Sequence, residues 1–182
     1  NTDRPAKTAD EKSLRLARDT FKRASEKEQD TRMEALDDLK FARLGEQWPD
    51  QIKTQRELDG RPCLTINKMP SFIRQVVNDA RQNKPAIAVN PADDKADPET
   101  AEIINGLIRN IQVSSDADIA TDTAIESAVS NGFGYFRINI VEDEDDVKDI
   151  AFERICNPFE VYGDPYSEAA DSSDWNTCVV AK

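Results

Sequence analysis

The chain has 182 residues, 38% hydrophobic and 33% charged, with a net charge of −12. This composition suits one large domain or two small ones rather than a disordered chain, and no apolar run reaches the roughly 18 residues of a membrane span. Histidine is absent, which excludes a Ser-His-Asp triad, a Cys-His nucleophile and any His-containing metal site supplied by this chain alone, while the acidic balance argues against DNA binding by phosphate neutralisation.

The polar start, Asn1-Thr2-Asp3-Arg4-Pro5, does not read as a signal peptide. It lacks Met, and Val179-Val180-Ala181-Lys182 closes no element, so the chain reads as a fragment of a longer polypeptide. Thr8 and Glu11 form a T-x-x-E capping box that predicts a helix from near Ala9, with residues 1–7 frayed. Leu14, Ala17, Phe21 and Ala24 then recur at helical spacing. The stripe lapses from Ser25 to Arg32 and resumes at Met33, Leu36 and Leu39. With no Pro or Gly in this stretch, the pattern predicts one long helix ending before Gly45, with a solvated middle suited to the rim of an assembly.

Trp48-Pro49 predicts a turn, and Pro49 the start of a short helix through Leu58. Asp59-Gly60 is a turn signal, and Cys63–Ile66 a brief extended segment. Met69-Pro70 opens a helix with Phe72, Ile73, Val76, Val77 and Ala80 along one face. Pro85–Val89 reads as a strand closed by Pro91. Asp97 and Pro98 start a helix whose expected buried face is Ile103, Ile104, Leu107, Ile108 and Ile111. Ser115 is the expected cap of the next helix, which Asn131-Gly132 ends.

After Gly134 the period changes to two. Phe136, Ile138 and Ile140, continued by Ile150 and Phe152, form the expected core face of a hairpin whose turn is Glu142–Asp146. Residues 159–162 and 177–180 predict two further strands around an acidic loop. The fold class is therefore α+β: a long N-terminal helix and several shorter helices, then a small, mostly antiparallel sheet. By element type the sequence divides into a helix over 1–44, a helical region with short strands over 45–131, and a sheet region over 132–182 that continues beyond the fragment. Charge follows this division, since residues 142–182 carry 12 acidic and 3 basic side chains, whereas Lys40–Lys84 carries nine basic and five acidic ones.

Few residues suggest chemistry. Gly132-Phe133-Gly134 imitates a phosphate loop, but a helix precedes it and a strand follows, the reverse of the order that aims helix amides at an anion. Asp143-x-Asp145 has the opening spacing of a calcium loop, yet Lys148 stands where that loop needs Gly. Asp50 followed by Asp93-Asp94-Lys95 imitates a metal-dependent nuclease pattern, which requires carboxylates on adjacent strands. The odd cysteine count, Cys63, Cys156 and Cys178, favours unpaired thiols. No catalytic, cofactor-binding or metal-ligating residue is assigned. Trp48, Arg61 and Arg74 are candidate interface residues, as Trp and Arg are the side chains most enriched at binding hot spots.

Several short motifs occur in order: G-x-Q-W at Gly45–Trp48, G-R-P-x-L-T-I-N-K at Gly60–Lys68, R-Q-V-V-N-D at Arg74–Asp79 and R-Q-N-K-P at Arg81–Pro85. Weaker ones are G-F-G-Y-F-R at Gly132–Arg137, Asn157-Pro158 and Asp164-Pro165. Over residues 36–175 the chain resembles the N-terminal part of tailed-phage portal proteins, the head-to-tail connectors, of the podovirus-like branch. The resemblance implies a homo-oligomeric ring of about a dozen subunits (a dodecamer) at one capsid vertex. Double-stranded DNA passes through that ring during packaging and ejection without sequence-specific binding. The implied partners are further copies of the chain, capsid protein, the terminase large subunit and tail adaptor proteins, with no cofactor and no membrane. The implied location is the virion, and the host cytoplasm during assembly. Portals of this branch are several times longer, so this chain corresponds to the outer wing. The readings set beside it are another virion scaffold or adaptor protein, and a metal-dependent nuclease.

Overall fold

The computed structural model describes residues 4–84, 86–91, 97–142, 148–169 and 172–181, with side chains from Glu11 onward. Five α-helices occur among them: α1 Arg4–Leu39, α2 Asp50–Leu58, α3 Met69–Gln82, α4 Pro98–Ser114 and α5 Ala117–Asn131. A π-helical turn, Lys40–Leu44, continues α1, and Gly45 in the left-handed region (φ 71°) closes it through its N–H to the Lys40 carbonyl. The strands are β1 Phe136–Glu142, β2 Lys148–Arg154, β3 Val161–Tyr162 and β4 Val179–Val180, forming two antiparallel pairs, β1 with β2 and β3 with β4. The fold is α+β. The chain groups into two compact units, Asn1–Asp37 with Phe159–Lys182, and Asp38–Pro158.

In the first unit, α1 carries the end of the chain. Ala24 and Ala35 are buried on it. The expected solvated middle is instead a polar contact surface. Arg32 donates to the carbonyl oxygens of Phe159 (2.8 Å) and Val161, pairs with Glu28 (2.9 Å) and lies 3.7 Å over the Tyr162 ring. Glu28 accepts the Gly163 N–H at 2.8 Å, and Lys27 donates to the carbonyl oxygens of Pro165 (2.7 Å) and Ser167 (3.2 Å). The apolar stripe lapses because this turn of helix makes polar contacts, mostly to backbone groups of residues 159–167. The helix also begins earlier than the capping box implied. Pro5 sits in its first turn, where a missing N–H costs nothing, and Thr8 lies inside it.

In the second unit α5 is central, packing against α3, α4, β1 and β2. Its buried positions are small: Ala117, Ala120, Ala124, Ser127, Ser130 and Asn131. Small residues on every side let neighbouring backbones approach closely. A core of Ala42, Ile73 and Val77, with Met69 and Ile125 against it, joins the π-helical turn to α3 and α5.

Four expectations are corrected here. Residues 86–90 form no strand; the Asn105 side chain takes both the Val89 N–H (2.8 Å) and its carbonyl (2.9 Å), the two groups a neighbouring strand would have paired. Ser115 closes α4 rather than capping α5, since its N–H and hydroxyl both donate to the Ile111 carbonyl, and Asp116 in the left-handed region (φ 50°) precedes α5. The apolar faces of α3 and α4 are only partly buried: Ile73, Val77 and Ile111 are inside, while Phe72, Val76, Ile103, Ile104 and Leu107 are exposed. The hairpin is inverted. Phe136, Ile138, Ile140 and Ile150 are exposed, and the opposite face, with Arg137, Asn139, Ala151 and Glu153, is the more buried one. Ala151 is small enough for β2 to lie close on α5, and Arg137 satisfies Glu153, donating to it from Nε at 2.8 Å, while Asn139 donates to its other oxygen at 3.1 Å. Pro85, Asp93, Asp94, Lys95 and residues 143–147 of the hairpin turn lie outside the described residues.

Candidate functional site

The G-x-Q-W and G-R-P-x-L-T-I-N-K motifs meet within residues 42–69. Gly45 turns the chain out of the π-helical turn. Gln47 then donates to the Asn67 side-chain oxygen at 3.2 Å, and that oxygen also accepts the Met69 N–H at 3.0 Å. The Asn67 amide donates back to the Ala42 carbonyl at 2.8 Å. Thus one side chain ties the π-helical turn, the segment around Gln47 and the first turn of α3 together. Trp48 is half-buried. Its indole N–H points at the Leu64 carbonyl (3.4 Å), and the Arg56 guanidinium lies 4.9 Å from its ring while donating to the Pro62 carbonyl at 3.1 Å. The G-x-Q-W and G-R-P-x-L-T-I-N-K motifs are therefore two halves of one clamp. Asp50–Leu58 begins with Pro49 immediately before its first turn, as the cap rather than the first helical residue.

Of the candidate interface residues, Trp48 belongs to this clamp. Arg61 is exposed on the extended segment that follows Gly60 (φ 69°). Arg74 is exposed on α3, its Nε donating to the Pro70 carbonyl at 3.2 Å, and it lines a shallow recess with Arg43 and Glu126. The three do not form one cluster of side-chain contacts. Beside Trp48, a recess of ≈ 370 Å³ is lined by Pro49, Ile52, Leu64 and Ile66.

Three of the nine basic residues of Lys40–Lys84 pair with α5. Arg43, Arg81 and Lys84 each form a 2.9 Å ion pair, with Glu126, Asp122 and Asp118 in that order. The acidic partners stand four residues apart along one stripe of α5, so the R-Q-N-K-P motif serves to fasten α3 to α5. The i, i+4, i+8 spacing of Asp118, Asp122 and Glu126 is the sequence signal for this stripe, and the motif reading alone missed it. Lys53, Arg61 and Lys68 are exposed and outside these pairs.

The G-F-G-Y-F-R motif is a joint between α5 and β1. Gly132 ends α5 with φ 92° and its N–H on the Ala128 carbonyl. Gly134 lies so close to α5 that a Cβ there would stand 1.9 Å from the Ala124 carbonyl oxygen. A glycine is required at each position, by conformation at one and by space at the other. Asp164, in Asp164-Pro165, is 7% exposed and accepts N–H groups from Tyr166 (2.9 Å), Asn176 (2.9 Å) and Thr177 (3.2 Å). Those amides, Tyr166 first, hold its carboxyl below the ordinary carboxylate range. Asp174 does the same for Glu168 and Ala169.

Asp50 is exposed in the first turn of α2, away from any strand, and no group of three or more His, Cys, Asp or Glu side chains is placed to hold a metal ion among the described residues. Cys63, Cys156 and Cys178 are free thiols. No helix among the described residues is long and apolar enough to cross a membrane.

The G-x-Q-W, G-R-P-x-L-T-I-N-K, R-Q-N-K-P, G-F-G-Y-F-R and Asp164-Pro165 motifs thus fix turns, fasten elements or position loops. The profile of the phage P22-like portal protein family matches residues 18–182, and the chain belongs to that family of virion head-to-tail connectors. The portal protein of Acyrthosiphon pisum secondary endosymbiont phage 1 is 29% identical over 172 residues, covering 87% of this chain and 24% of the relative. The chain thus spans about a quarter of that relative's length.

Proposed function

We propose that this chain is the outer, wing-like part of a portal subunit. About a dozen copies of the whole subunit close a ring at one capsid vertex. The ring is the conduit for genome packaging and ejection, and it docks terminase and tail adaptors. The family match across residues 18–182 carries this reading. The geometry agrees with it in kind, because the motifs build clamps and joints and both units keep large apolar side chains at their surfaces. The subunit makes no bonds and holds no cofactor; nuclease and ATPase assays with magnesium or manganese should read background. A net charge of −12 opposes tight contact with DNA, so duplex affinity should be weak and salt-sensitive, as suits a wall past which DNA slides.

The test is genetic. Phage lacking the protein should build heads that contain no DNA, and supplying the protein in trans should restore filling. DNA-filled heads in its absence would refute the proposal.

A further inference from the structure

Three Asx-Gly pairs occur in the sequence: Asp59-Gly60, Asn105-Gly106 and Asn131-Gly132. Such pairs share a latent reaction, because glycine has no side chain to shield its amide nitrogen from the carbonyl carbon of the preceding side chain. The fold treats the three differently. Asn105 lies within α4, where its side chain holds the N–H and the carbonyl of Val89 at 2.8 and 2.9 Å. Asn131 is 3% exposed at the end of α5, and the Gly132 N–H donates to the Ala128 carbonyl at 2.9 Å. Asp59 is exposed, and its carboxylate has no hydrogen-bond partner among the described residues. The Gly60 N–H donates to the Glu57 carbonyl at 3.1 Å, at the end of α2, which buries none of its residues. A helix end without buried side chains opens locally at little cost.

We propose that Asp59-Gly60 is a site of spontaneous isoaspartate formation. The Asp59-Gly60 peptide plane turns from its ψ of −2°, which releases the Gly60 N–H from Glu57. The Gly60 amide nitrogen then bonds to Asp59 Cγ. One carboxyl oxygen leaves as water, taking the amide proton and the proton of the carboxyl group. Water afterwards opens the cyclic imide. Attack at the side-chain carbonyl restores aspartate, whereas attack at the main-chain carbonyl leaves the backbone running through Cβ and Cγ. One water leaves and one enters, so the mass is unchanged and the reaction needs no oxidant or cofactor. The product has one more carbon in its main chain, beside the bonds from the Arg61 N–H to the Arg56 carbonyl (2.8 Å) and from Arg56 to the Pro62 carbonyl (3.1 Å). Those bonds set the direction in which the extended segment of the clamp leaves α2. The modification is independent of the ring reading above.

The experiment ages the full-length protein for weeks at neutral pH, folded in one sample and unfolded in guanidinium chloride in another. Isoaspartate is read by methyl transfer from labelled S-adenosylmethionine with a protein-L-isoaspartate methyltransferase, and is placed by mass spectrometry of the peptides that carry the three pairs. In the unfolded chain Asn105 and Asn131 should react first, since an amide is a better electrophile than an ionised carboxylate. In the folded protein that order should reverse, with isoaspartate accumulating at Asp59 while Asn105 and Asn131 stay intact. Asp59→Glu, which can close only a larger ring, should lose the methyl acceptance of this turn. Asp59→Asn should react faster than the parent in the folded state, releasing ammonia. Both substitutions replace an exposed side chain, and an unchanged circular dichroism spectrum checks that the fold persists. An Asp59-Gly60 turn that stays unmodified in the folded protein, Asn105 or Asn131 reacting ahead of it there, or Asp59→Asn as inert as Asn105 would overturn the proposal.

Discussion

The two compact units meet the demand for burial in opposite ways. The unit of α1 and the chain end is held by polar groups that find partners within it. Arg32, 13% exposed at its side chain, reaches two backbone carbonyls, a carboxylate and an aromatic face. Phe21 meets the Tyr162 ring edge-on at 4.8 Å, and Asp164 gathers three amides. The unit of residues 38–158 instead has a core of small side chains around α5 and leaves Leu64, Ile66, Phe72, Ile138 and Ile140 outside. Apolar surface of that extent is expensive to leave in water, about 25 cal/mol per Å². The contrast lies in how each unit is fastened, by long-range polar contacts in one and by small-residue packing in the other; both leave large apolar side chains outside, Leu14, Leu16, Met33 and Leu36 of α1 among them.

The sharpest way to break this contrast is at Gly134. Gly134→Ala drives a Cβ into the Ala124 carbonyl, and neither backbone can yield without moving β1 off α5. The expected loss is about 4 kcal/mol in denaturant unfolding of the 38–158 unit, at the upper end for overpacking. Gly106→Ala on α4, where no atom lies within 4 Å of the added Cβ, is the control and should be neutral or slightly stabilising. Equal effects at the two glycines would show that α5 is not the packing centre.

Arg32→Ala tests the other unit. It strands two carbonyls and the Glu28 carboxylate, and should destabilise by about 3 kcal/mol. A melt unchanged from the parent would mean that the α1 contacts do not hold the chain end. Gly132→Val places a branched side chain at φ 92°, with an expected cost of about 2 kcal/mol from backbone strain alone. Since open space surrounds that position, a midpoint equal to the parent's would relocate the strain rather than the packing.

The smallest effect is at Asp164, and it appears as pH dependence. Its carboxyl titrates below the ordinary 3.8 when folded. The unfolded chain therefore binds the proton more readily, and the stabilisation is complete above that value and fades as pH falls through the folded one. Asp164→Asn should flatten the acid limb of the melting profile of the α1 unit. An identical acid limb in parent and variant would contradict the role given to Asp164.

What the sequence revealed was local. Gly45 ends the first helical run, Asp97-Pro98 starts α4, Gly132 ends α5, and the period of two marks β1 and β2, because each signal is complete within a few residues. What it concealed was relational. Period two divides a hairpin into faces but does not say which one α5 covers; Glu153 beside Arg137 and the small Ala151 decide that, from the far strand. The polar turn Glu28–Arg32 reads as solvated until Phe159–Gly163, some 130 residues on, supplies its partners. Residues 86–89 have strand composition, yet the Asn105 side chain stands where the partner strand would be. At the candidate site Trp48 was found through composition, whereas Asn67, the residue that ties the clamp together, carried no signal beyond its place in a motif.

The central claim is that the intact protein works as a ring. Class-averaged electron micrographs of the purified full-length protein test it most directly. The account predicts closed rings of about a dozen subunits with a central channel and the region corresponding to this chain at the periphery. Monomers at assembly concentrations would contradict the ring, and density placing this region in the narrowest part of the channel would contradict its peripheral position.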